Sequence, residues 1–165
     1  MSTPIPLILC GASREVAAKV KANLFPEYNV VYAGYDLPAT AREVPQILLG
    51  NPPATASLHT DVGSNDFTVP PRAIIIGAPY SDEDFQTLYQ GCVEAFGSEA
   101  NLPVPFFRVD KSLSAKLVAE GKSPKIGTPE YPQAIVNRMK EKLREAGIGS
   151  GLIEQSDSKG KILFF

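Results

Sequence analysis

Gly11, Ala12, Ser13 and Arg14 follow directly on the apolar run at 5–10, and a helical pattern starts immediately after them. Small residues between a strand and a helix leave backbone N–H groups free to cradle a phosphate. The same four residues could equally do no more than turn the chain. Gly77, Ala78 and Pro79 close another apolar run (72–78, "RAIIIGAP" continuing to Pro79), and Asp36 stands just after a third, at 29–33. Cys10 sits where a strand meets a helix start, a position that can lower a thiol pKa. A nucleophile needs a base within reach, and the single histidine, His59, lies in the distant stretch 50–71. "EGKSP" at 120–124 carries the Gly-Lys-Ser of a P-loop, but Lys116 stands where its first glycine is needed. That match is rejected. Two separated cysteines and one histidine also exclude a structural zinc site.

These residues depend on the elements that carry them. The run 5–10 reads as a strand covered on both faces. Ser13 then caps a helix whose inward positions are Val16, Val20 and Leu24, with Pro26 as its stop. A strand at 29–33 precedes a helix over 39–49, with Ala41, Val44, Ile47 and Leu48 inward and a kink or early stop expected at Pro45. Residues 50–71 have Pro pairs at both ends and read as a long loop. A strand at 72–78 leads to a helix at 82–96, capped by Ser81 with Asp84 as the capping-box acid; its stripe is Phe85, Leu88, Cys92 and Phe96. A strand at 104–109 and a short helix at 112–120 follow. Thr128 is the expected cap of a last helix, with Pro129 at its first position, Ile135, Met139 and Leu143 inward, and Gly147 and Ile148 closing it. The final stretch reads as a short strand, a turn and a last strand ending in Phe164-Phe165, either tucked into the sheet or exposed.

Strand and helix alternate, and hairpins cannot produce that order. Right-handed crossovers onto a parallel sheet can. The expected architecture is a single α/β domain, a three-layer sandwich on a mainly parallel sheet of about five strands, Rossmann-like or flavodoxin-like. In such sheets ligands sit beyond the carboxyl ends of the strands. Four corners qualify: 10–14, 34–37, 77–81 and 109–111. Asp82, Glu83 and Asp84 cancel the positive helix end at the third, so phosphate belongs at the first, beside Arg14. The loop 50–71 leaves a helix and enters a strand, so it should emerge at the opposite, amino edge; unless it wraps round, His59 cannot meet Asp36 or Ser13 without a second subunit.

Residues 5–110 resemble an NAD(P)-binding Rossmann-like domain. The segment 7–36 has that family's strand, glycine turn, helix, second strand and terminal acid, and "AIIIGAPYSDEDF" is similar to its later strand with a small-small-Pro turn. Of its G-x-G-x-x-G glycines the first falls on Gly11, while Ser13 and Val16 hold the other places; Val16 is expected to obstruct packing of helix on strand. The resemblance implies NAD or NADP as cofactor, with Gly11 to Arg14 on the pyrophosphate, Asp36 on the ribose and Gly77, Ala78 and Pro79 lining the cleft.

Composition narrows the function classes. The net charge of −2 offers no basic field for nucleic acid, and no apolar span is long enough for a membrane helix. The amino-terminal stretch lacks the charged start of a signal peptide, and two cysteines inside apolar segments suit a reducing compartment. A cytoplasmic, soluble protein is expected. Its partner is then a small molecule or another protein. The first reading is a small-molecule or nucleotide-binding domain, oxidoreductase-related through the resemblance. Catalysis there would call for a partner chain or self-association as a homo-oligomer. The alternative is a non-catalytic interaction module of the same fold.

Overall fold

A computed structural model describes residues 3–53, 61–149 and 159–165. Five strands, β1 (Ile5–Cys10), β2 (Tyr28–Gly34), β3 (Ile74–Ile76), β4 (Phe106–Arg108) and β5 (Ile162–Phe164), form one all-parallel sheet in the order β2-β1-β3-β4-β5. That order is the flavodoxin-like one, and the direction of progress reverses between β1 and β3. The helices are α1 (Arg14–Leu24), α2 (Leu37–Leu48), α3 (Asp82–Phe96), α4 (Lys111–Ala119) and α5 (Tyr131–Glu145). None is long and apolar enough to cross a membrane. The three-layer α/β sandwich expected from the sequence is present.

Each sheet face has its own core. Leu7, Leu9, Val30, Ile75 and Phe107 meet α1 and α5 on one face, whereas Ile8, Val31, Ile74, Ile76 and Phe106 meet α2 and α3 on the other. Strand residues buried on both sides are why these runs are continuously apolar rather than alternating. The connection from β4 to β5 carries α5 on the α1 face, although it advances in the same direction as the α3 connection. It therefore has the opposite hand to the usual right-handed crossover.

Several local expectations change. In α1 the buried residues are Ala17, Val20 and Leu24, while Val16 is 53% exposed; Val16 points to solvent and obstructs no packing. Pro45 neither stops nor divides α2, which runs on to Leu48. Thr128 does not cap α5. Its hydroxyl donates to the Lys125 carbonyl at 2.6 Å, a single turn intervenes, and the helix starts at Tyr131 without a side-chain cap. Gly147 (φ 82°) does end α5, and the Ile148 N–H donates to the Leu143 carbonyl at 2.8 Å. The short strand expected after it, like His59, lies outside the described residues.

The lower end of α5 is fastened to the start of β2. Tyr28 OH donates to the Ile148 carbonyl at 2.7 Å, and Lys140 and Arg144 both pair with Glu27. Partial burial works to raise the Glu27 pKa, but hydrogen bonds and charge from Lys140 and Arg144 overcome it and hold the carboxyl below its usual range. A lowered carboxylate pKa stabilises the fold fully above the unfolded value and is lost as pH falls through the folded one. Glu27→Gln is expected to cost under about 1 kcal/mol near neutrality, because the carboxylate is one-third exposed. Urea denaturation of both proteins checks this: the difference should vanish once pH drops below the lowered Glu27 value.

Candidate carboxyl-edge site

Three strands are laced together where they end. The Gly11 N–H donates to the Gly34 carbonyl at 2.9 Å, and the Gly77 N–H to the Cys10 carbonyl at 2.8 Å. This is the reversal point between β1 and β3, where open α/β sheets leave a crevice. At Gly77 the backbones come close: a Cβ there would lie 3.2 Å from the Cys10 carbonyl oxygen, tighter than ordinary contact, and 3.7 Å from Gly11 Cα. Gly11 differs. Its φ is not positive, and among the described residues an added Cβ would meet nothing within 4 Å.

The side chains around this floor are already engaged. Ser13 Oγ caps α1 by accepting from the Val16 N–H at 3.4 Å. Arg14 grips Asp61 with Nε and Nη2, at 3.0 and 2.9 Å, and Tyr35 OH donates to the same carboxylate at 2.7 Å. Hydrogen bonds from Arg14 and then Tyr35 hold the Asp61 carboxyl below its usual range. Asp36 Oδ2 accepts from the Ala39 N–H at 3.1 Å and so caps α2. Ala78 and Pro79 shape the turn from β3, closed by the Tyr80 N–H on the Gly77 carbonyl. Ser81 and Asp84 form the expected capping box on α3. Across the crevice Arg108 pairs with Asp82 at 2.9 Å and lies over the Phe85 ring at 4.4 Å. Asp110 caps α4, and Lys111 Nζ donates to the Tyr80 carbonyl at 3.1 Å. Every cation of this edge thus has an acceptor.

Asp61 shows that the long loop wraps round the sheet edge to the carboxyl side. Residues 61–65 run beside β2 from its carboxyl end toward its middle, with the Ser64 and Asn65 N–H groups on the Val30 and Val31 carbonyls. They cover the outer edge of the sheet and bring Asp61 to the carboxyl side. A loop leaving the amino edge is free to do this because β2 is an edge strand with a row of open hydrogen-bonding groups.

The cysteine expectation also changes. Burial first, and the neighbouring Cys92 second, push the Cys10 thiol well above its ordinary pKa, and both cysteines are buried free thiols. Complete enclosure outweighs any help from the helix start, so Cys10 is a neutral thiol near pH 7. Beside it lie three buried hydroxyls. Tyr32 OH donates to Glu43 Oε1 at 3.1 Å, whereas among the described residues Thr40 Oγ1 and Tyr80 OH complete no hydrogen bond of good geometry. Burial raises both phenols, so they stay protonated.

No family model matches this sequence, and no solved structure matches it. One curated protein, "Kojic acid related protein 6" of Aspergillus oryzae (strain ATCC 42149 / RIB 40), is 30% identical over 148 residues, covering 90% of this chain and 81% of that one. The chain belongs to the family of that protein.

The structure brings Gly11 to Arg14, Asp36 and Gly77 to Pro79 to one edge of the sheet, on three adjacent corners. Tyr35 and Tyr80 fall inside the corners 34–37 and 77–81 without an expected role, Asp61 belongs to the loop that the sequence sets apart from the cleft, and Arg108 carries no expectation. A charged residue ending the apolar run "VPFFRV" was the available signal for Arg108; for Asp61, the tyrosine preceding Asp36 offered no hint of its partner.

Proposed function

We propose that this protein is a small-molecule-binding α/β domain, its ligand a nucleotide or another small organic molecule held in the crevice between the β1–α1 and β3–α3 corners. One observation carries the reading. Gly11 is required neither by its backbone angles nor by a neighbour, so its missing side chain serves an open space at the reversal point of the sheet. In a dinucleotide version Gly11 to Arg14 would face the pyrophosphate, Asp36 the ribose, and Gly77 to Pro79 the rest of the cofactor. Arg14 is committed to Asp61, which favours a ligand with little negative charge over a free polyphosphate.

The test is a thermal-shift screen of the purified chain against NAD(H), NADP(H), ATP, flavins, CoA and kojic acid, the last chosen for the relative's name. A ligand at 100 times its Kd adds about 2.7 kcal/mol, several degrees in a domain of this size. Gly11→Leu is expected to leave the unliganded stability within about 0.5 kcal/mol of wild type, since its side chain would enter open space, and to abolish the ligand's shift. Asp36→Asn keeps the cap and reports on the carboxylate charge alone. A ligand that shifts both wild type and Gly11→Leu equally does not sit in this crevice. Silence from the whole panel would favour the interaction-module reading, for which Phe164, 48% exposed on edge strand β5, is the available contact.

A further inference from the structure

Arg138 stands at the middle of α5 with its guanidinium directed under α4. Nη1 donates to Ser114 Oγ at 3.0 Å. Nε and Nη2 are buried, and among the described residues neither has an acceptor. These two donors share one edge of the planar guanidinium and point in parallel, at the spacing of the two oxygens of a carboxylate. Arg14 displays the fit within the same molecule, since its Nε and Nη2 both reach the Asp61 carboxylate. Among the described residues, the hydrogen-bond partner of this permanent positive charge is a neutral hydroxyl. Buried charges are ordinarily paired, because an unpaired one loses its water without replacement.

The cover over this edge is light. Ser114, 3% exposed, is the single buried residue of α4, and Leu113 on the same helix is 37% exposed. A helix held by so little apolar packing opens at low cost relative to global unfolding. We infer that the Nε/Nη2 edge of Arg138 is a carboxylate-binding site between α4 and α5, entered when α4 lifts. A monoanion suits it better than phosphate. The site lies mid-helix, away from the positive end of α5, and the nearby Lys140 and Lys142 are paired with Glu27 and Glu145. One free positive charge and a flat fork match one flat, singly charged group. The site is separate from the crevice at the carboxyl edge, and neither reading depends on the other.

The experiment is a titration of the ¹⁵N-labelled full chain with sodium acetate, with sodium chloride at equal ionic strength and inorganic phosphate as comparisons. The Arg Nε–Hε signals are the readout, assigned through bonds and by Arg138→Lys, which keeps the charge and loses the fork. The Arg138 signal should shift saturably with acetate and not with chloride, while that of Arg14 stays in place. Acetate should raise the thermal midpoint of the wild type and leave that of Arg138→Lys unchanged. An Arg138 signal that ignores acetate, or that responds to phosphate at lower concentration, overturns the assignment. If Arg138→Lys does not fold, the wild-type titration decides alone.

Discussion

Phe106→Ala should lower the stability of this protein by about 3–5 kcal/mol, the range for removing an enclosed aromatic ring. Phe106 is 0% exposed at the centre of the α2/α3 face of the sheet. Its ring meets Tyr89 edge-on at 5.0 Å and Phe85 edge-on at 6.0 Å, and those two rings are 5.5 Å apart. Such pairs add about 0.5–1.5 kcal/mol beyond simple burial. Neither Phe85 nor Tyr89 can move in to fill the gap, because Phe85 also supports the Arg108 guanidinium and Tyr89 OH donates to the Gly160 carbonyl at 3.2 Å. A domain with a total of about 5–15 kcal/mol gives up a large part of it. Phe106→Leu keeps most of the volume and should cost less than about 1.5 kcal/mol. Urea denaturation of the three proteins decides the matter. A loss below about 2 kcal/mol for the alanine variant would mean that the cluster closes over the cavity, contrary to this packing.

The same cluster explains why α3 was readable from sequence to the residue. Ser81 and Asp84 announce its start, and Phe85, Leu88 and Cys92 its buried stripe, to which the fold adds Tyr89 while the expected Phe96 stays half-buried. The parallel sheet and the four corners follow from alternation of short apolar runs with capped helices, whereas the strand order does not, since Rossmann-like and flavodoxin-like sheets share that alternation. Where the reading failed, two local solutions had similar merit. Val16 and Ala17 are both apolar at the start of α1, and a spacing of four favoured the larger one; the helix instead sets the smaller against the sheet. Thr128 has cap chemistry, but its hydroxyl found a nearer carbonyl. Asp36 stands where a ribose-binding acid or a helix cap would stand, and the sequence of one chain does not separate the two. The apolar stripe of α5 says that it is buried, not on which face. That face depends on Glu27 and Tyr28, more than a hundred residues away, meeting Arg144 and Ile148. Long-range pairings of this kind leave no local periodicity, and the seating of Asp61 beside Arg14 and Tyr35 is another of them.

Gly63→Ala tests the least expected of those pairings. It should cost about 1–3 kcal/mol, the usual penalty for forcing a methyl group into a filled space. The reason is contact rather than conformation, since Gly63 is not among the glycines at positive φ. A Cβ on Gly63 would stand 2.6 Å from the Val31 carbonyl oxygen and 2.9 Å from Tyr32 Cα. Both are backbone atoms of β2, locked in the sheet, so the segment 61–65 has to retreat. Its retreat breaks the Ser64 and Asn65 hydrogen bonds to β2 and the 2.8 Å bond from Lys21 Nζ to the Val62 carbonyl. Amide exchange at Ser64 and Asn65 should therefore accelerate far more than at Ile8 or Ile75 in the central strands, because local opening becomes cheaper than global unfolding. Asp61 is carried off with the segment, and Arg14 loses its carboxylate. A freed guanidinium beside the start of α1 makes the crevice more attractive to anions, so in Gly63→Ala the anionic members of the ligand panel should gain affinity relative to neutral ones. Unaltered exchange at Ser64 and Asn65, with stability equal to wild type, would show that the strap is not seated on β2. Slowed exchange elsewhere cannot rescue the idea, since the methyl group has only the β2 backbone to strike.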